Sequence, residues 1–334
     1  MRNQIQKILN LLGVTAIILG IVFSGISHQS EAGRIADFQS SRNVKATNVS
    51  NNTIALPWHL EKVNADDVWK ATEGGANIMV AVLDTGIDEN HKDLQDKVIE
   101  SVNFSSSQTT NDVNGHGTAI AGIIAASVGN LKGTMGIAYN SSLLNVKVAG
   151  DDGFVNPEAV AKGIIWATNK GAKVINLSLT LNKSDEAVEE AIEYAWSKGA
   201  VIIAAAGNTS SNKPTYPAAS LNVIGVAATD ENDRLPKWSN RGDWVSVSAP
   251  GVDIYSTSPN GKYIYKNGTS FAAALVSGEA TLLFAVAEDG NGNGITNDEV
   301  KEAIMKNTEM RTDVTNAGRI DVQKAVEQLL SAAK

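Results

Sequence analysis

Ile78-Met79-Val80-Ala81-Val82-Leu83-Asp84-Thr85-Gly86 is the stretch on which the fold class turns. Six apolar residues run without a break and then stop at a carboxylate. A run this short, half of it β-branched and without polar alternation, predicts a strand covered on both faces. Runs of the same texture recur at 143–148, 174–179, 201–206 and 223–228. Helical stretches lie between several of them, at 156–170 and 185–198. The second is marked at both ends, with Ser184 as the expected N-cap, acids at Asp185, Glu186, Glu189 and Glu190, and Gly199 beyond Lys198. Helical crossovers permit parallel pairing, so the expected architecture is α/β: a three-layer αβα sandwich with a mostly parallel central sheet.

In such sheets function gathers at the C-terminal ends of the strands, and four strand ends or helix starts carry polar groups. Asp84 closes a buried strand, where a carboxylate needs a partner; alone, it reads as the cap of a turn. Asn114-Gly115-His116-Gly117-Thr118 opens a small-residue apolar stretch at 119–126 and leaves room around the imidazole. Asn267-Gly268-Thr269-Ser270-Phe271-Ala272 opens another, running to 285, and a serine at a helix start is ordinarily a cap. Ala204-Ala205-Ala206-Gly207-Asn208 ends a strand in an asparagine, which by itself is turn chemistry. Together the four supply an Asp to orient a His, a His to accept a serine proton, and an amide donor for an oxyanion. The order Asp, His, Ser is one of the known solutions to that problem.

Composition narrows the alternatives. The 334 residues are 43% apolar and 19% charged, which argues against disorder. A net charge of −8 argues against nucleic acid and anionic membranes as main partners. Cysteine is absent, which removes disulfides, thiolate nucleophiles and Cys-based zinc sites, and the four histidines show no H-E-x-x-H spacing. Arg2 and Lys7, the apolar run 11–23 and Ser30-Glu31-Ala32 read as a signal peptide over 1–32. The competing reading is an uncleaved anchor, for which the run is short. Residues 33–55 are polar and rich in Ser and Asn, and are expected to form a short flexible leader or pro-segment ahead of a domain at 56–334. The expected product is a secreted or extracellular monomer with no membrane span after signal cleavage, and envelope association stays open.

Leu83-Asp84-Thr85-Gly86, Gly115-His116-Gly117-Thr118, Ala205-Ala206-Gly207-Asn208 and Gly268-Thr269-Ser270 resemble the four signature blocks of the subtilisin family. The likeness runs from about Pro57 to Ala325, and the loop ending Thr215-Tyr216-Pro217 is most similar to the thermitase branch. What the resemblance implies is a serine endopeptidase. Ser270 is then the nucleophile, His116 the general base and then acid, Asp84 the residue that holds the imidazole, and Asn208 an oxyanion donor. Gly153 and the segment Ser178, Leu179, Thr180 match the two edges that pair with an extended peptide substrate, and Thr215 matches the floor of the primary pocket.

Departures from the family pattern bear on specificity. Ala119 replaces a second histidine, Ala274-Leu275 replaces a Pro-His pair, and Thr180-Leu181 replaces two glycines of the cleft, which should narrow the primary pocket. An uncharged Thr215 implies neutral residues just before the scissile bond. The Gly-Thr-Ser-Phe-Ala block is also similar to proteases that trim leader peptides from bacterial antimicrobial precursors, so a dedicated processing enzyme is the alternative to broad degradation. An inactive binding protein of the same fold is a further alternative, opposed by the intact quartet. The resemblance allows structural calcium, with Asp93 and Asn130 as candidate ligands and no cofactor required for catalysis. Asp289-Gly290-Asn291-Gly292-Asn293-Gly294 mimics half of an EF-hand loop, but its twelfth position is Val300, so an Asn-Gly surface turn is the expectation there.

Overall fold

Neighbouring side chains along a strand point to opposite faces, and around Asp84 both faces are dry. Val80 and Val82 enter one core, Ala81 and Leu83 the other. A computed structural model of the protein describes residues 33–35, 38–43, 56–128, 133–309 and 317–332. In chain order its elements begin with β1 (Gly33–Ile35), β2 (Phe38–Asn43), α1 (Trp58–Lys62), α2 (Trp69–Thr72), β3 (Met79–Asp84) and β4 (Val98–Asn103). There follow α3 (His116–Ala125), β5 (Ser142–Lys147), β6 (Phe154–Val155), α4 (Pro157–Asn169), β7 (Val174–Leu177), β8 (Leu179–Thr180) and α5 (Glu186–Ser197). The rest are β9 (Val201–Ala205), β10 (Val223–Thr229), β11 (Val247–Pro250), β12 (Ile254–Ser258), β13 (Lys262–Asn267), α6 (Thr269–Phe284), α7 (Asn297–Lys306), β14 (Thr308–Glu309), β15 (Arg319–Ile320) and α8 (Val322–Ala332).

Nine of these strands form one sheet in the order β14-β15-β11-β10-β9-β7-β3-β5-β4. Its neighbours are parallel except at the β14–β15 edge. Helices α3, α6, α7 and α8 cover one face, and α4 and α5 the other. The result is the expected three-layer αβα sandwich. Helix α6 runs through the larger core with every residue buried, as a helix without a polar face must. Among the described residues no helix is long and apolar enough to cross a membrane. The expected signal peptide lies outside them.

Three local expectations change. The N-cap of α5 is Asp185, whose carboxylate accepts from Val188 N, while Ser184 Oγ donates to Glu189. A carboxylate at this position also meets the positive end of the helix, so it outcompetes the hydroxyl. The run 174–179 does not stay in the central sheet. It breaks at Ser178, and Leu179–Thr180 belongs to a separate three-stranded sheet, β6-β1-β8. The leader, expected to be flexible, contributes two strands: β1 lies within that small sheet and β2 pairs with β13. Strand pairing through backbone groups leaves no periodic signal in a polar sequence, so composition gave no warning of it.

Candidate active site

Strand β3 delivers Asp84 to its C-terminal end, and helix α3 begins with His116 beside it. The imidazole Nδ1 lies 2.8 and 2.9 Å from the two oxygens of Asp84. Both residues are buried, and Thr85 N donates to Asp84 Oδ1 at 2.7 Å. A carboxylate so placed fixes the ring orientation and the tautomer, with the proton on Nδ1 and Nε2 as the basic nitrogen. The approach of α3 to β3 depends on Gly117, where a Cβ would sit 2.1 Å from Gly86 O and 3.1 Å from Asp84 Oδ1.

Gly115, just before α3, has φ 98° and no side chain with which to cap it. Asp112 supplies the cap from outside. Its carboxylate accepts from Gly115 N, Thr118 N, Thr118 Oγ1 and Thr85 Oγ1, all between 2.7 and 2.9 Å. Thr85 Oγ1 in turn accepts from Gly117 N at 3.0 Å. The Asp84 turn and the His116 helix are thereby tied into one unit. Buried Lys147 adds to it, donating to Thr85 O and pairing with Asp151 at 2.9 Å. The lysine holds the Asp151 carboxyl below its ordinary value, chiefly through that hydrogen bond.

Ser270 lies in the first turn of α6, buried, with Oγ donating to Ser178 O at 3.2 Å. Ser178 Oγ sits 2.9 Å from Asn176 Oδ1 and 3.0 Å from Ser270 O. The break at Ser178 therefore locks the cleft edge to the start of α6. Phe271 packs against His116 with ring centroids 5.6 Å apart. Asn208 is oriented without ambiguity. Thr269 N, which can only donate, lies 3.0 Å from its Oδ1, as does Thr269 Oγ1. The side-chain oxygen is thus engaged and the NH2 end is turned away from Thr269. Asn240 braces the same loop, accepting from Thr209 N and Ser211 N and donating to Ala206 O.

Gly153, Leu179 and Thr180 line one cleft, and the chain's own Gly33–Ile35 lies in it. Arg34 pairs with Phe154 and Thr180, Ile35 with Leu179, and Ile35 N donates to Gly153 O at 3.2 Å. A Cβ on Gly33 would lie 2.4 Å from Leu181 Cδ2. Thr215 Oγ1 donates to Ala206 O at 2.7 Å, two residues before Asn208. Asp93 is fully buried. Its Oδ2 accepts from Tyr263 OH at 2.7 Å and from Thr134 N at 3.2 Å. Asn130 lies outside the described residues, among which no cluster of His, Asp and Glu is arranged to hold a metal. The Asp289 loop closes as a surface turn, with its carboxylate accepting from Gly292 N, Asn293 N and Gly294 N.

Sequence reasoning did not find Asp112, Asn240, Asn176 or a role for Lys147. Asp112, four residues before His116, was the most accessible signal, because a glycine at a helix start calls for a cap from elsewhere.

The sequence matches the Subtilase family over residues 75–326. It is 42% identical over 240 residues to the thermophilic serine proteinase of Bacillus sp. (strain AK1), covering 72% of this chain and 58% of that protein. To thermitase of Thermoactinomyces vulgaris it is 40% identical over 272 residues, covering 80% and 94%. With subtilisin DY of Bacillus licheniformis the figures are 40% over 235 residues, 69% and 85%. The chain therefore belongs to the subtilase family and is a subtilisin-like serine endopeptidase.

Proposed function

We propose that the protein is exported, that residues 1–32 are its signal peptide, and that the domain from 56 onward cuts extended polypeptide outside the cytoplasm with Asp84, His116, Ser270 and Asn208 as its catalytic groups. The observation that carries the assignment of roles is the buried Asp84–His116 pair, 2.8 Å apart, at the strand end facing the helix that bears Ser270. In this reading Ser270 Oγ attacks the scissile carbonyl as His116 Nε2 takes its proton. The tetrahedral oxyanion is held by Asn208 Nδ2 and Ser270 N. His116 then protonates the leaving amine, and water repeats the sequence in reverse to free the acyl group. Each step uses only the chain's own groups. The structural calcium implied by the resemblance finds no cage at Asp93 among the described residues.

A substrate enters as a strand between β6 and β8, so main-chain hydrogen bonds supply affinity and alternate side chains supply selectivity. Thr180 and the uncharged Thr215 favour neutral residues just before the scissile bond. A Cβ at Gly33 would lie 2.6 Å from Thr180 O as well as against Leu181, which favours a small residue there and with it the processing role over broad degradation. The test is a fluorophosphonate probe applied to the parent and to Ser270→Ala and Asn208→Ala. Labelling at Ser270, abolished in Ser270→Ala, is expected. Asn208→Ala should lose about 10²–10³ in kcat, the figure known for the equivalent asparagine of subtilisin. A folded parent that takes no label would overturn the assignment and favour the inactive binding protein.

A further inference from the structure

Strand β6 is two residues long, and its side chains point to opposite faces. Val155 is buried, whereas Phe154 is 44% exposed, the one aromatic among the exposed large apolar side chains of the described residues. A phenylalanine left in water adds little to a core, but this one stands on the rim of the cleft that holds Gly33–Ile35. Arg34 is paired with Phe154 on one side and with Thr180 on the other. Its guanidinium carbon lies 4.3 Å from the centre of the Phe154 ring. The other cation–ring contacts among the described residues are made by lysines at 5.3 to 5.7 Å. A cation within about 6 Å of a ring face is attracted by its quadrupole, and a planar guanidinium also stacks on it. The local charge has the matching sign. Exposed Asp152 lies two residues before Phe154, its Oδ1 accepting from Phe154 N at 3.1 Å, while Asp151 is already paired with Lys147.

We infer that Phe154 is a specificity-determining residue, whose ring selects a substrate with arginine at the place that Arg34 holds. The inference rests on the endopeptidase reading above and names the substrate class for it. A substrate laid in the register of Gly33–Ile35 carries its next residue opposite Ser178, whose carbonyl accepts from Ser270 Oγ at 3.2 Å. That next residue supplies the scissile carbonyl, so the selected arginine lies two positions ahead of it. Main-chain pairing with β6 and β8 accepts almost any sequence. The Phe154 ring and the close quarters around Gly33 turn that tolerance into a preference for a small residue followed by arginine. The ring lies away from the reacting bond and holds the arginine equally before and during reaction. Its contribution therefore appears in KM and not in kcat.

Two peptide anilides test this, identical except for arginine or citrulline at the selected position. Citrulline keeps the length and the planar end of the side chain and removes its charge. The parent is expected to favour arginine about threefold in kcat/KM, the size of an exposed cation–ring contact, with kcat unchanged. Phe154→Leu keeps an apolar side chain on β6 and should abolish the preference. Phe154→Trp, with a stronger quadrupole, should increase it. Occupation of the cleft by the chain's own Gly33–Ile35 lowers both rates by one factor, so the ratio is unaffected. Equal rates on the two substrates in the parent would overturn the inference. So would a preference that survives Phe154→Leu and is lost in Asp152→Asn, which would assign the selection to charge alone. The same peptides titrated calorimetrically into Ser270→Ala, with and without Phe154→Leu, test the ring without turnover, and equal affinities for arginine and citrulline would again overturn it. A parent inert to both anilides and to fluorophosphonate, with the threefold binding preference intact in Ser270→Ala, refutes the endopeptidase reading and upholds the role of Phe154.

Discussion

At Thr269 one hydroxyl serves two partners. It donates to Asn208 Oδ1 at 3.0 Å and accepts from Gly207 N at 2.9 Å. Both contacts act on the loop that presents Asn208, the proposed oxyanion donor. Thr269→Val keeps the shape and removes both, leaving a buried N–H unpaired at a cost of about 1–3 kcal/mol. A donor for the oxyanion is used only when the carbonyl becomes tetrahedral. Its misorientation therefore lowers kcat without altering ground-state binding. The expected result is a fall in kcat of about tenfold with KM unchanged, equivalent to roughly 1.4 kcal/mol. Steady-state kinetics on a peptide anilide decide the matter, and a raised KM at constant kcat would contradict it. A serine at this position keeps the hydroxyl, so Thr269→Ser should behave nearly as the parent.

Helix α3 is the element whose placement makes the histidine useful, and Asp112 holds its first turn. Asp112→Ala removes an acceptor shared by four donors. Loss of a cap costs about 1–2 kcal/mol, seen as a lower melting temperature. The imidazole also loses its anchor, so kcat should fall by a larger factor than the stability change explains. Asp112→Asn, which keeps one oxygen acceptor, should recover part of both. If Asp112→Ala lowers stability but leaves kcat intact, Asp112 is a cap and nothing more. Elements show where a sequence is readable. The apolar runs around Val80, Ile175 and Ile203 are buried on both faces, so their composition alone announced strands of a parallel sheet. Asp84, His116 and Ser270, the proposed triad, stood out because each sits at a strand end or helix start with a glycine within two residues. Asp112 and Asn240 were not, because their partners come from distant segments and are joined by tertiary contacts without local pattern. The same is true of β1 and β2, whose pairing depends on an edge supplied by other strands and not on their own residues.

At the scale of the whole molecule, two of the described residues, buried and ionisable with no hydrogen-bond partner at their polar atoms, bear on the dependence of stability on pH. These are His59 on α1 and Glu279 on α6. Burial lowers the His59 pKa from 6.5 to about 3. Burial, with a smaller contribution from Asp321, pushes Glu279 well above its ordinary 4.5. Stability rises with pH wherever the unfolded chain binds more protons than the folded one, and falls where it binds fewer. Below pH 6.5 the unfolded histidine takes a proton that the folded one refuses. Its contribution is therefore lost as pH falls towards about 3, by up to about 1.4 kcal/mol per unit. Above pH 4.5 the unfolded glutamate releases a proton that the folded one keeps, so stability is lost as pH rises towards the elevated folded value. Above pH 4.5 the glutamate's loss opposes the histidine's gain, so the pair contributes an acid limb from His59 and an opposing alkaline limb from Glu279. Glu279→Gln, neutral at every pH, should remove the alkaline limb and leave the acid one. His59→Leu should do the reverse. Urea midpoints measured from pH 4 to pH 9 in a Ser270→Ala background, where self-digestion cannot intervene, provide the comparison. A Glu279→Gln curve that declines in parallel with its parent above pH 6.5 would place the alkaline sensitivity in other groups.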